Sequence, residues 1–272
     1  MSFNVQVENQ HDHHKPWLVM VNGLFASLQS WNQSVECLYP HFRVLRYDGR
    51  GQGEGPRPLS GYGLSELVQD LKTIMDENGI ETAHFIGLSN GARVALQFAA
   101  LYPARVSSVA ASDTYAHVSP LLKLKLSSWL EANRKGGPSL RFEVATPWIW
   151  GESIVREKPE LLEFYRQRAG LEKVHVIEGL IKGAMEDQDI DLKKIVCPVL
   201  LTVGAEDLLT PPFIHEQIQQ QLPNGAMRIV KGGHASLLEN PESVQEVILP
   251  WLCSLVNQSV AQEQELASQG VE

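Results

Sequence analysis

A chain of 272 residues with a formal net charge of −9 lacks the basic surface by which proteins bind nucleic acids and anionic membranes, so we expect neither as a partner. Its composition, with 43% hydrophobic and 20% charged residues, is typical of a globular protein that buries one sizeable core. No apolar stretch approaches the roughly 20 residues of a membrane-spanning helix, and the first residues lack the basic start and apolar core of a signal peptide.

The cysteines and the one histidine cluster do not predict a metal site. Cys37, Cys197 and Cys253 are odd in number and have no metal or redox spacing, which indicates reduced thiols in a cytoplasmic protein. The cluster at residues 11–14 (His-Asp-His-His) has no second ligand group that the sequence places beside it, so a solvated loop is the favoured interpretation. We therefore expect no metal or other cofactor. The sequence specifies no oligomeric state.

The first part of the chain alternates short apolar runs with helical patterns. Strands are predicted at residues 3–7, 18–21, 43–47, 83–86 and 106–111. Helices are predicted at residues 30–38 and 64–75, where the second has apolar residues spaced along one helical face. The glycine-rich segment 48–53 lacks the Lys-Ser/Thr ending of a phosphate-binding loop, which favours a structural turn. Strands that alternate with helices predict a parallel sheet covered on both faces.

The alternation stops between residues 115 and 187, where the pattern is helical and includes no buried strand. Among the aromatic residues of this segment are Trp129, Phe142, Trp148, Trp150, Phe164 and Tyr165. The alternation resumes with strands at 198–204 and 227–230 and helices at 212–221 and 241–255. We therefore predict one α/β domain formed by residues 1–114 and 188–272, with a helical insertion at residues 115–187.

A G-x-S-x-G pattern at residues 87–91 follows a predicted strand and precedes a helical segment. This arrangement is typical of a strained elbow that exposes the central serine, Ser89, near the positive end of a helix. Gly87 and Gly91 leave room where the strand and the helix nearly collide. The backbone N–H of Asn90, at the start of the helix, is a candidate donor to an oxyanion.

A serine nucleophile requires a base and a group that orients the base. Such groups gather past the carboxyl ends of parallel strands. Asp207 follows the strand at 198–204, and His234 follows the strand at 227–230. Glu206 and Asp113 remain alternatives for the acid, and Asp207 could instead cap the next helix.

The order of serine, acid and base along the chain is the order found in the α/β-hydrolase family, and the sequence resembles this family over nearly its whole length. The segments that carry the resemblance are residues 21–23, 48–53, 87–91, 204–211 and 232–234. The resemblance implies a doubly wound, mostly parallel sheet of about eight strands, with the insertion as a lid. It also implies the N–H of Leu24 as the second oxyanion donor. The chain departs from the usual His-Gly of the family at Asn22-Gly23, where the asparagine can still form hydrogen bonds across the loop.

The aromatic residues of the insertion suggest a substrate pocket, although most of them could form the core of the insertion. Trp148 and Trp150 lie in a segment too apolar for an exposed loop, and we expect at least one of the two rings to face the cleft. A pocket roofed by aromatics favours an apolar acyl group.

The leading hypothesis is a serine hydrolase that acts on a small-molecule carboxylic ester, with thioesters and lactones in the same class. An acyltransferase with the same three residues is the second hypothesis. A ligand receptor that does not hydrolyse its ligand is the third.

Overall fold

The computed structural model of the chain describes residues 2–186 and 188–269. In this part of the chain seven strands form one sheet, one fewer than the resemblance implies, in the order β1-β3-β2-β4-β5-β6-β7. All neighbouring pairs are parallel except β1 with β3. The strands are β1 (Asn4–Glu8), β2 (Trp17–Val21), β3 (Arg43–Asp48), β4 (Ala83–Leu88), β5 (Val106–Ser112), β6 (Val199–Gly204) and β7 (Gly225–Val230). The predicted doubly wound, mostly parallel α/β fold is confirmed.

The central strands are buried on both faces, which explains their continuous apolar sequences. Every residue of β2, β4 and β6 is buried. The register aligns the carboxyl ends of neighbouring strands, since Leu88 pairs with Ser112 and Gly204 pairs with Val230. The loops after β4, β5, β6 and β7 therefore meet at one edge of the sheet.

The α-helices of the described residues are α1 (Leu64–Glu77), α2 (Asn90–Leu101), α3 (Pro120–Ile149), α4 (Glu152–Glu157), α5 (Pro159–Ala169), α6 (Val174–Ala184), α7 (Pro212–Gln219), α8 (Ser236–Glu239) and α9 (Leu249–Gln269). The helix predicted at residues 30–38 is wrong, because two short 3-10 turns, Leu28–Trp31 and Glu36–Leu38, occupy this region. Side chains from the sheet fix these turns: Asp48 accepts a hydrogen bond from the N–H of Leu28, and Asn22 accepts one from the indole of Trp31.

Helices α3 to α6 all lie between β5 and β6. Helix α3 bends at Gly137, whose φ of 74° falls in the left-handed region, and Pro138 follows directly. Its two arms pack with α6 in an apolar cluster that includes Leu126, Trp129 and Ile181. The outer boundaries of the predicted domains, at residues 1, 187 and 272, lie outside the described residues.

Within the described ranges, no helix is long and apolar enough to cross a membrane.

Candidate active site

Ser89 occupies a strained turn between β4 and α2. Its φ of 54° and ψ of −119° are uncommon for a residue with a side chain. The turn is held because Ser89 donates its N–H to the carbonyl of Ser112 at 2.7 Å and accepts a hydrogen bond from the Thr114 hydroxyl at 2.9 Å. A Cβ atom at Gly87 would lie 2.5 Å from Ala92, and one at Gly91 would collide with the carbonyl oxygens of β2 and the loop that follows it. Both glycines are therefore required by close backbone approach.

Three of the residues singled out from the sequence meet beyond the carboxyl ends of β4, β6 and β7. The Ser89 Oγ lies 2.7 Å from Nε2 of His234, and Nδ1 of the same ring lies 3.0 Å from Oδ2 of Asp207. Both distances are in the range of hydrogen bonds. An Nδ1–H that donates to the carboxylate leaves Nε2 as the acceptor of the serine proton. Ser89 is half-buried, whereas the histidine and the aspartate are buried.

Asp207 is held as an ionised acceptor by its surroundings. It accepts hydrogen bonds from the backbone N–H groups of Leu209 and Thr210, each at 2.8 Å, and from the Thr210 hydroxyl at 3.0 Å. Burial acts to raise the pKa of Asp207, but the neighbouring His234 and these hydrogen bonds outweigh it, so the pKa is lowered. An ionised Asp207 is suited to orienting the ring of His234.

The two alternative acids lie elsewhere. Glu206 points away and accepts hydrogen bonds from the N–H and the hydroxyl of Ser153. Asp113 is fully buried and accepts hydrogen bonds from the N–H of Gly204 at 2.8 Å and from the hydroxyl of Ser236 at 2.6 Å. Burial, and then the charge of Asp207, raise the pKa of Asp113. Asp113 therefore ties the end of β6 to the loop that carries the histidine.

Glu239 is a buried carboxylic acid that our sequence reasoning missed. It accepts a hydrogen bond from the N–H of Gly233 at 2.8 Å and lies 3.3 Å from the N–H of Gly151, while His234 donates its own N–H to the carbonyl of Ile149. Burial raises the pKa of Glu239 to about 7. Glu239 thus joins the histidine loop to the end of α3. The signal in the sequence is an acidic residue that follows an apolar run within two helical turns of His234.

The two expected oxyanion donors are free to bind a ligand. Among residues 2–186 and 188–269, neither the N–H of Leu24 nor that of Asn90 has a hydrogen-bond acceptor. Asn22 fixes the loop before Leu24, because its amide donates to the carbonyl of Tyr47 at 2.7 Å and accepts from Trp31 at 2.7 Å. An asparagine at this position therefore keeps the loop in place.

A cavity of about 120 Å³ opens beside Ser89 and His234. The loop after β2, helix α3 and helix α5 form its walls, and most of its lining is apolar, including Leu24, Phe142 and Trp150. Of the two tryptophans singled out from the sequence, Trp150 lines the cavity and Trp148 does not. Trp148 is 36% exposed, and the ammonium of Lys125 lies 4.8 Å from its ring centre.

No group of three or more side chains suited to a metal ion occurs in the part of the chain that the structure describes.

A parallel sheet with a serine on a strand-to-helix elbow is the architecture of the α/β hydrolases. The chain belongs to this family, since the family model for the alpha/beta hydrolase fold matches residues 16–241. This finding confirms the resemblance and supports hydrolase activity.

Individual relatives cover nearly the whole chain. RutD of Caulobacter sp. (strain K31), which is named as a proposed carbamate hydrolase, is 26% identical over 86% of this chain and 90% of its own. The crystal structure of an alpha/beta hydrolase enzyme from a Medee basin deep-sea metagenome library is 28% identical, covers 92% of this chain and 94% of its own, and gives a TM-score of 0.83. A thermophilic esterase from Thermogutta terrifontis, solved with malate bound, is 27% identical over 93% of both chains, with a TM-score of 0.83.

Proposed function

We propose that the protein is a serine hydrolase that cleaves a carboxylic ester, thioester or lactone through an acyl-enzyme on Ser89. The observation that carries the proposal is the continuous hydrogen-bonded chain from the Ser89 hydroxyl through His234 to Asp207, with contacts of 2.7 and 3.0 Å. A chain of this kind can activate a serine, because the base accepts its proton while the acid stabilises the resulting imidazolium. The esterase among the similar solved structures adds support.

In the first half of the reaction, the Ser89 Oγ attacks the ester carbonyl while its proton passes to Nε2 of His234. The negative charge on the carbonyl oxygen is stabilised by the N–H groups of Leu24 and Asn90. Collapse of the tetrahedral intermediate breaks the ester bond, and His234 gives its proton to the leaving alcohol. A water molecule then releases the acid by the same steps in reverse order.

Residues 115–187 act as the lid of this site. Helices α3 and α5 supply the wall that faces Ser89, and Trp150 and Phe142 contribute apolar surface to it. This lining favours an acyl group with an apolar stem and limits the access of water to the intermediate. Acyl transfer would use the same acyl-enzyme, so the two reactions differ only in the acceptor that reaches it.

The proposal is tested with Ser89→Ala. We expect the variant to fold and to lose turnover of p-nitrophenyl esters by a factor on the order of 10⁴ to 10⁶. A fluorophosphonate should label wild type once, at Ser89, as peptide mass mapping would show. Labelling at another residue, or activity that survives in Ser89→Ala, would refute the mechanism. Product analysis with alcohols present would separate hydrolysis from transfer.

A further inference from the structure

One buried arginine in the cavity wall has no polar partner. Arg141, on the second arm of α3, lines the cavity beside Ser89 and is 2% exposed. Its Nε is buried without a hydrogen bond, and its guanidinium forms no hydrogen bond or ion pair with any residue that the structure describes. The group instead lies 4.0 Å from the ring centre of Phe25.

The Nε atoms of Arg46 and Arg93 are likewise buried without a partner, but the other buried arginines of the described chain all form hydrogen bonds through their terminal nitrogens. Arg93 donates to three backbone carbonyls between 2.8 and 3.2 Å, Arg50 forms an ion pair with Asp70, and Arg46 donates to the Asn32 side chain at 2.7 Å. A buried cation without such partners costs folding free energy, since a guanidinium loses its hydration on burial. Arg141 is therefore the exception that the requirements of folding do not explain.

The guanidinium remains a cation at neutral pH. Burial lowers the pKa of Arg141 to about 10, while the charge of Glu172 acts to raise it. Glu172 also lines the cavity and is half-buried, but it forms no ion pair with Arg141 in the part of the chain described here. A second unsatisfied donor lies in the same wall, because the indole N–H of Trp129 is buried without an acceptor.

We propose that Arg141 binds a carboxylate on the substrate, so that the protein hydrolyses esters that carry a free carboxylate beyond an apolar stem. This inference rests on the proposed ester hydrolysis. A planar carboxylate accepts two parallel hydrogen bonds from a guanidinium, and its single negative charge balances the single buried positive charge. The apolar wall then packs against the stem, and the cation fixes the end of the acid that lies away from Ser89.

Binding can be measured without turnover in the Ser89→Ala variant. The probes are monomethyl esters of succinic, glutaric and adipic acid, each compared with its dimethyl ester by calorimetry. We expect at least one monoester to bind about 10- to 100-fold more tightly than its diester, which is the range for hydrogen bonds to a charged group. Equal binding across all three pairs would overturn the proposal, and this comparison requires no change at Arg141.

Substitutions then locate the site. Arg141→Gln in the same background should abolish the preference for the monoester. Arg134→Gln should preserve it, because Arg134 is exposed and paired with Glu131 and Glu178 on the surface. Glu172→Gln should tighten binding of the monoester, since it removes a negative charge near the same guanidinium. A preference that survives Arg141→Gln, or weaker binding in Glu172→Gln, would contradict the assignment.

The two proposals can fail separately. If wild type hydrolyses diesters but shows no preference for monoesters in binding or in kcat/KM, the carboxylate site is refuted and the hydrolase stands. If Ser89→Ala binds monoesters with the expected preference but wild type hydrolyses no ester, the proposed reaction is refuted and the anion site stands.

Discussion

The charged groups around His234, on the histidine side of the cavity, differ from the charged group on its α3 side in whether their hydrogen bonds are made within the protein. Around His234, the three buried carboxylic acids Asp207, Asp113 and Glu239 each accept hydrogen bonds from the backbone or from hydroxyl groups. On the second arm of α3, Arg141 is equally buried but has no hydrogen bond to any described residue.

This difference separates groups that hold the site in place from a group that is available to a ligand. A polar atom whose hydrogen bonds are made within the protein fixes the position of its neighbours and contributes little binding free energy to a substrate. A buried donor that lacks an acceptor in the protein contributes the most binding free energy when a ligand supplies the acceptor. The hydrogen bonds on the histidine side therefore hold its groups in place, and under the proposals above the α3 side selects the substrate.

The largest effect that would test this contrast is the change in kcat when the buried acids Asp207 and Asp113 are substituted. Asp207→Asn should lower kcat by about 10⁴, because the amide no longer favours the Nδ1–H form of His234. Asp113→Asn should lower the free energy of unfolding, since Asp113 joins β6 to the histidine loop, and should change kcat far less. The measurement is ester turnover together with chemical denaturation. The opposite ranking of the two kcat values would assign the orienting role to Asp113.

On the histidine side, the sequence predicted the strands and helices that carry the candidate residues. The strand, elbow and helix around Ser89 follow from local patterns, and the loops after β6 and β7 follow from the alternation of strands and helices. These features are short-range, and the carboxyl ends of parallel strands must meet at one edge. Glu239 was missed, because an acid after an apolar run near His234 does not reveal which groups its side chain will contact.

The α3 wall could not be predicted to the same depth. Its helical pattern was clear, but the bend at Gly137 decides which residues face Ser89, and no periodicity crosses a bend. For the same reason, the sequence could not show which of Trp148 and Trp150 faces the cavity, since the two lie two residues apart near the end of α3. Arg141 was likewise indistinguishable in sequence from an arginine on a solvated helical face.

The next largest effect is on stability and KM, when Trp150 or Trp148 on the α3 side is substituted. Trp150 is 8% exposed, lines the cavity and packs against Tyr165 with ring centres 5.1 Å apart, so Trp150→Ala should cost about 3 to 5 kcal/mol of stability. It should also raise KM for esters. Trp148→Ala, the matched control, should cost less than about 1 kcal/mol and leave KM unchanged. Equal losses in KM would place Trp148 at the substrate as well.

The smallest effect is the pH dependence that the titration of Glu239 gives to the free energy of unfolding. Its pKa is raised to about 7 in the folded protein from an ordinary 4.5, so the folded state binds the proton more tightly than the unfolded chain. The stability that the protonated group contributes is complete below about pH 4.5 and is lost as the pH rises through about 7. Glu239→Gln cannot ionise. Its free energy of unfolding should therefore rise relative to wild type between about pH 5 and pH 8, by about 1 to 3 kcal/mol.

Urea denaturation of wild type and Glu239→Gln at the two pH values measures this difference, and the other titrating groups largely cancel in it. Glu206→Gln is the control. Hydrogen bonds from Ser153 lower the pKa of Glu206 below its ordinary value, so the same difference should stay flat between the two pH values. If the difference for Glu239→Gln were also flat, Glu239 would be ionised throughout this range. The histidine loop would then be held to the end of α3 by a permanent charge that the hydrogen bonds from Gly233 and Gly151 stabilise fully.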